Sequence, residues 1–182
     1  MGMLPWTAGA RQWRARVEFM RRVEGDGRGW PDLSDAGLCA SLETWLAPHL
    51  TGITSAAQLR TIRLMDILQE LLAWKQRSEL ERQAPTHIEV PSGSRIALDY
   101  TAGAVPVLRA RVQELFGLEE TPRVADGRVA VVVEVLSPAR RPVQVTQDLR
   151  SFWRTTYHQV RKELRGRYPK HYWPEDPLSA GN

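Results

Sequence analysis

The spacing of apolar residues changes at Pro85. Before it, Trp13, Val17 and Met20, and later Leu64, Leu68, Leu71 and Leu72, recur at three- and four-residue intervals. After it, Ile88 and Val90, then Ile96, Leu98 and Tyr100, alternate with polar neighbours. The first spacing fits one face of a helix and the second one face of a strand, so neither element type can serve the whole chain. The predicted fold class is therefore α+β. It comprises an N-terminal helical module, residues 1–84, packed against a small antiparallel sheet with a long C-terminal helix, residues 85–182. The leucine stripes of the first module need cover, which is why it is predicted to pack on the second.

Within the first module, Gly25-Asp26-Gly27-Arg28-Gly29-Trp30-Pro31 interrupts the helical pattern. A phosphate-cradling loop needs a strand before it and a helix after it, so this glycine-rich run reads as a plain surface loop. Ser34 is a good N-cap, with Asp35 placed to favour the dipole. Leu38, Leu42, Trp45 and Leu46 then line one face up to Pro48, and Cys39 among them reads as a small buried hydrophobe. Thr54 or Ser55 opens a third helical region, which runs to about Arg82.

In the second module, Pro91-Ser92-Gly93-Ser94 is turn chemistry between two alternating runs, which predicts a β-hairpin. Pro106 and Gly117 bracket a predicted helix with Leu108, Val112 and Leu115 on its buried face. Val129 to Leu136 is β-branched almost throughout and reads as a strand covered on both sides. Thr146 is predicted to cap a helix over 147–165 that ends at Gly166. It should bury Leu149, Trp153, Thr156, Val160 and Leu164 and pack on the sheet. In the aromatic and proline-rich tail that follows, Trp173 is predicted to pack into its own domain.

Signatures of catalysis are missing. No glycine is followed by lysine, which excludes a Walker A loop, and HExxH, GxSxG and CxxC do not occur. His49, His87, His158 and His171 fall in unrelated contexts, so no catalytic residue and no metal ligand is assigned. The single cysteine cannot form an intramolecular disulfide, and Met1-Gly2-Met3-Leu4-Pro5-Trp6 has no signal-peptide pattern. Both features predict a cytoplasmic protein, and no apolar run is long enough for a membrane span.

Charge is the informative quantity. The chain carries a formal net charge of +4, but Leu136 to Trp173 holds nine basic residues against Asp148 and Glu163. Nearly all are arginine, which suits bidentate phosphate binding. At about 100° per residue, Arg150, Arg154, Arg161 and Arg165 fall within an arc of about 60° on the predicted helix, with His158 beside them. Arg140 and Arg141 precede Pro142 in a predicted loop, and Arg167 and Lys170 extend the basic run into the tail. These eight residues are the candidate nucleic-acid site. The competing reading is a solvated helix face balanced by acids elsewhere in the fold.

The residues also match a known pattern. Leu136-Ser137-Pro138-Ala139-Arg140-Arg141-Pro142-Val143-Gln144-Val145-Thr146-Gln147-Asp148-Leu149 resembles the C-terminal region of the HrpB family of bacterial DEAH-box-like ATP-dependent RNA helicases. So does Val160-Arg161-Lys162-Glu163-Leu164-Arg165-Gly166-Arg167-Tyr168-Pro169-Lys170-His171-Tyr172-Trp173-Pro174-Glu175-Asp176-Pro177. Pro85-Thr86-His87, Pro91-Ser92-Gly93-Ser94-Arg95-Ile96, Trp30-Pro31-Asp32-Leu33-Ser34-Asp35 and Trp45-Leu46-Ala47-Pro48 extend the resemblance. It implies an accessory part of a helicase whose ATP and magnesium are bound by two RecA-like domains that this chain does not contain. The implied partners are RNA, or single-stranded nucleic acid, and those RecA-like domains. The alternative is a structural cap that touches no RNA.

Overall fold

A computed structural model describes residues 1–179. Its backbone contacts divide it into two compact units, Met1–Ala84 and a second that begins at Pro85.

The first unit is helical. Helix α1 (Ala8–Glu24) is capped by the Thr7 hydroxyl, which accepts the Ala10 N–H, and it buries Trp13, Val17 and Met20. The next stripe is broken into α2 (Asp35–Ala40), α3 (Leu42–Trp45) and a 3-10 turn at Ala47–His49. Ser34 caps α2 as expected, accepting the Gly37 N–H at 3.1 Å. A Cβ at Gly37 would lie 2.4 Å from the Asp32 carbonyl, so only glycine lets the chain close on itself there. Because the helix restarts after Ser41, Leu42 turns out toward solvent while Leu38, Trp45 and Leu46 stay buried. Cys39 is exposed, not buried: Leu38 takes the inward position and its neighbour lies about 100° further round. The third region is likewise divided, into α4 (Ala56–Leu59), α5 (Leu64–Gln69) and α6 (Trp74–Gln83). Ser55 caps α4, and Leu64, Leu68 and Leu72 are core residues.

The second unit contains a five-stranded sheet in the order β1-β2-β3-β6-β7. The predicted hairpin is β1 (His87–Glu89) and β2 (Arg95–Asp99), paired antiparallel with Ile88 opposite Ile96. The predicted helix after Pro106 is instead β3 (Val107–Arg111) followed by a 3-10 turn, Val112–Leu115. Leu108, Val112 and Leu115 are all buried, as the helical reading required. Ala110 is buried too, and Leu108, Ala110 and Val112 are spaced by two.

β3 lies parallel to β6 (Val132–Leu136), so the sheet is mixed and not antiparallel throughout. The chain between them forms a separate two-stranded ladder, β4 (Arg123–Val124) with β5 (Val129–Ala130). The predicted strand from Val129 is thus interrupted at Val131, which is buried but unladdered. One further strand, β7 (Pro142–Thr146), pairs antiparallel with β6 at the edge. Proline at the first position of an edge strand leaves no ladder hydrogen bond unmade. Among the described residues no helix is long and apolar enough to cross a membrane.

Candidate nucleic-acid interface

The long basic helix begins at Asp148, whose carboxylate accepts the Ser151 N–H at 2.9 Å. Thr146, the predicted cap, accepts the N–H of Asp148 itself and so holds the cap in place. The helix has three parts: α7 (Leu149–Ser151), a π turn (Phe152–Thr156) and α8 (Tyr157–Arg167). It continues one residue past Gly166. In the π turn the Tyr157 N–H reaches back to the Phe152 carbonyl, one residue further than an α-helix would.

The turn lies within the buried face of the helix. Leu149, Phe152, Trp153, Tyr157, Val160 and Leu164 all face inward, and Thr156 is only half-buried. Phe152 and Trp153, adjacent in the chain, are both buried within this turn. Phe152, Trp153 and Tyr157 pack edge to face, and Phe116 meets Trp153 and Tyr157 with centroids 6.2 and 6.0 Å away. The Trp153 Nε1–H donates to the Leu118 carbonyl at 2.7 Å. The tail wraps back onto the same helix. Trp173 is buried as expected and donates to the Tyr168 carbonyl, while the Tyr157 hydroxyl donates to the Pro174 carbonyl at 2.8 Å.

The π turn also redistributes the cations. It inserts about one residue, which sets everything downstream back by about 100°. Arg161 thereby rotates toward the tail, where its Nε–H donates to the Trp173 carbonyl at 2.9 Å and its Nη2 lies 3.6 Å from Glu175. Lys162 rotates into line with Arg154 and His158. It is exposed, and the straight-helix reading did not include it. Arg150, at the helix start, is paired with Glu119 and Glu120. Of the four arginines predicted to form one stripe, two therefore have intramolecular partners. Arg154 and Arg165 are exposed and make no ion pair among the described residues, and the same is true of Lys162, Arg167 and Lys170.

Arg140 and Arg141 occupy the tip of the β6–β7 hairpin, held by Ser137. The Ser137 N–H donates to the Arg141 carbonyl at 2.8 Å, and the Ser137 hydroxyl accepts the Arg141 N–H. Arg140 adopts a left-handed conformation, φ 60°, which is unusual for a residue with a Cβ. Against the burial that raises it, Arg111 and then the charge of Arg140 hold the Glu114 carboxyl below its usual range. Among the described residues no hydrogen bond or ion pair joins this turn to the helix.

Among the described residues no group of three or more His, Cys, Asp or Glu side chains could hold a metal ion. The sequence likewise offers no loop that could cradle the phosphates of ATP, so no step involving that nucleotide is assigned to these residues.

The sequence model of a family described as "ATP-dependent helicase C-terminal", HrpB_C, matches residues 45–177. The chain belongs to the HrpB_C family. Its relatives include the ATP-dependent RNA helicase HrpB of Escherichia coli (strain K12), 45% identical over 99% of this chain and 22% of the relative. A crystal structure of the E. coli DExH-box NTPase HrpB superposes with a TM-score of 0.88 at 45% identity, over 98% of this chain and 22% of that one. A second, of the E. coli DEAH/RHA helicase HrpB, gives 0.75 at 43% identity, over 95% and 22%. The chain thus spans about a fifth of the length of these relatives. The HrpB_C match takes in the β6–β7 turn, the whole π-containing helix and the tail as far as Pro177.

The buried phenol of this HrpB_C helix makes stability depend on pH. Burial, opposed by Arg161 and reinforced by Tyr172, pushes the Tyr157 hydroxyl up to about 12. An unfolded tyrosine ionises near pH ~10. The folded value is the higher one, so the stabilisation is complete below pH ~10 and is lost as pH rises toward 12, by about 2–3 kcal/mol. Tyr157→Phe is expected to cost about 1 kcal/mol at neutral pH, through the hydrogen bond to Pro174. It should also remove that part of the alkaline decline. Urea unfolding across a pH series measures both, and identical alkaline declines in the two proteins would refute the assignment.

Proposed function

We propose that this chain is an accessory C-terminal part of an ATP-dependent RNA helicase and that it binds single-stranded RNA through phosphate contacts. The observation that carries the reading is the row of exposed cations without acidic partners, Arg154, Lys162 and Arg165. Packing of the opposite helix face fixes it outward. Lys162 and Arg165 stand about one helical turn apart and Arg154 about two turns before them, a spacing that suits phosphates along a strand, and binding of this kind is tolerant of sequence and sensitive to salt. Arg140, Arg141, Arg167 and Lys170 extend the footprint, and Arg150 and Arg161 border it. ATP and magnesium would be bound by the RecA-like domains of the complete helicase, which would also be the protein partner of this part, in the cytoplasm. This chain by itself would hydrolyse no ATP.

A second reading is a cap that packs on those RecA-like domains without touching RNA. The pairing of Arg150 with Glu119 and Glu120, and of Arg161 with Glu175, favours it, because guanidiniums used at home are less available to phosphate. Salt titration separates the two. Each phosphate contact to a single strand contributes about 0.7 to the slope of log K against log salt. Changing Arg154 and Arg165 together to alanine is expected to weaken RNA binding and flatten the slope by up to about 1.4. The fold should be unchanged, since both side chains lie off the buried face. Equal affinity and slope in the two proteins would leave the cap.

A further inference from the structure

The tail does more than cover the helix. Where it crosses the π turn it borders an open cleft of about 380 Å³. Buried Trp153 and Pro177, with Leu178, lie at its apolar floor, Arg154 and His158 line it from the helix, and Glu175 and Asp176 from the tail. Arg154 makes no hydrogen bond or ion pair among the described residues. Asp176 accepts the Leu178 N–H with one carboxylate oxygen, and the other has no partner among the described residues. Glu175 is 90% exposed and lies 3.6 Å from Arg161. The cleft thus offers a guanidinium on one side and carboxylate acceptors on the other, over an apolar floor.

Inside the cleft the two carboxylates would repel a phosphate, so there Arg154 is left for a base edge while Lys162 and Arg165 face phosphates outside it. The cleft suits a planar group with adjacent acceptors on one edge and adjacent donors on the next. Among the nucleobases only guanine is built that way: O6 and N7 accept, and N1–H and the N2 amino group donate. Uracil has a lone N3–H flanked by two carbonyls that the carboxylates would repel. Adenine and cytosine each present a single amino group. Unstacked bases of single-stranded RNA are commonly read on both edges while one face lies on an apolar or aromatic side chain.

We infer that the cleft between the π turn and the tail takes one unstacked guanine. Arg154 faces its O6/N7 edge, Asp176 and Glu175 face its N1/N2 edge, and His158 lies beside the flanking phosphate. The inference rests on the RNA-binding reading, adding a base preference to contacts that are otherwise blind to sequence.

The test uses the 182-residue chain and two probes. The first is guanosine monophosphate, compared with the adenosine, cytidine and uridine monophosphates at millimolar concentration. Amide chemical shifts at Arg154, His158 and Asp176 report on the cleft directly. Guanosine monophosphate is expected to move them and the other three to leave them in place. The second probe is a short oligouridine, with or without one central guanosine, measured by fluorescence anisotropy. The guanosine strand is expected to bind about tenfold more tightly, within the range of one bidentate base contact. In the double variant Glu175→Gln, Asp176→Asn the ratio of the two affinities should fall to about one, whereas a mere change of net charge would shift both strands together. Equal shifts from all four nucleotides, no shift from guanosine monophosphate, or a ratio that survives the double variant would overturn the inference. Cleft shifts with guanosine monophosphate but no binding of either strand would uphold the cleft and refute the phosphate-binding row.

Discussion

Trp153→Ala is expected to destabilise the second unit by about 3–5 kcal/mol, the range for deleting a large buried aromatic. Trp153 is 3% exposed. Its ring lies 4.9 Å from Phe152, 5.3 Å from Tyr157 and 6.2 Å from Phe116, centroid to centroid, so alanine would leave a void bounded by three aromatics. These rings are locked by one another and by the widened turn, so the cavity has little means of collapsing. The Leu118 carbonyl would also lose its donor. Denaturant unfolding followed by near-UV circular dichroism reads the loss. Trp74→Ala is the control, because that side chain is 81% exposed and its removal should leave stability within about 0.5 kcal/mol. Similar losses from the two variants would mean that the aromatic cluster does not hold this unit together.

In the first unit the largest single effect is expected at a charged residue. The Arg16 side chain is 4% exposed, yet it projects from a helix face that is otherwise apolar. Its Nε–H donates to the Ala84 carbonyl at 2.6 Å, and its Nη2 reaches the Leu80 carbonyl at 3.4 Å and Glu81 at 2.9 Å. These acceptors belong to the last turn of α6, where unpaired carbonyls and the negative end of the dipole favour a cation. Arg16→Met keeps most of the apolar stem and removes the donors, leaving the Ala84 carbonyl without this partner. The expected cost is about 2–4 kcal/mol, from charge-assisted hydrogen bonds and one desolvated acceptor. Thermal unfolding followed at a helical wavelength should show it. A shift within error would mean that water replaces the guanidinium.

Elements whose conformation is decided by neighbours in the chain are legible in the sequence, and those decided by a distant partner are not. Ser34 and the turn at Pro91–Ser94 act within a few residues of themselves and take the expected roles, and of the two expected openers Thr54 and Ser55 it is Ser55 that caps α4. Leu108, Val112 and Leu115 were recognised as buried but assigned to a helix, because positions four and three apart satisfy that spacing. Ala110 also fits the strand spacing, but it is too small to weigh in an apolar count. What selects the strand is β6, more than twenty residues further along, which offers a parallel ladder partner. β7 was missed because it opens with proline and exposes Val145, as an edge strand can.

The candidate site divides in the same way. Composition placed the positive charge between Leu136 and Trp173, and the arginines there do lie mostly at the surface. No local signal marks the π turn, within which Phe152 and Trp153 are both buried. That turn moved Arg161 to the tail, brought Lys162 into line and shaped the cleft against Glu175 and Asp176. By itself, the sequence determined the change from helix to strand at Pro85, the Ser34 cap, the hairpin turn, most of the buried residues and the amount of charge on the helix. Tertiary structure decided which strands pair, in which direction, and which cations remain without a partner. Periodicity and capping are set over one or two turns of chain, whereas a ladder partner or a counter-ion is supplied by residues that only folding brings near.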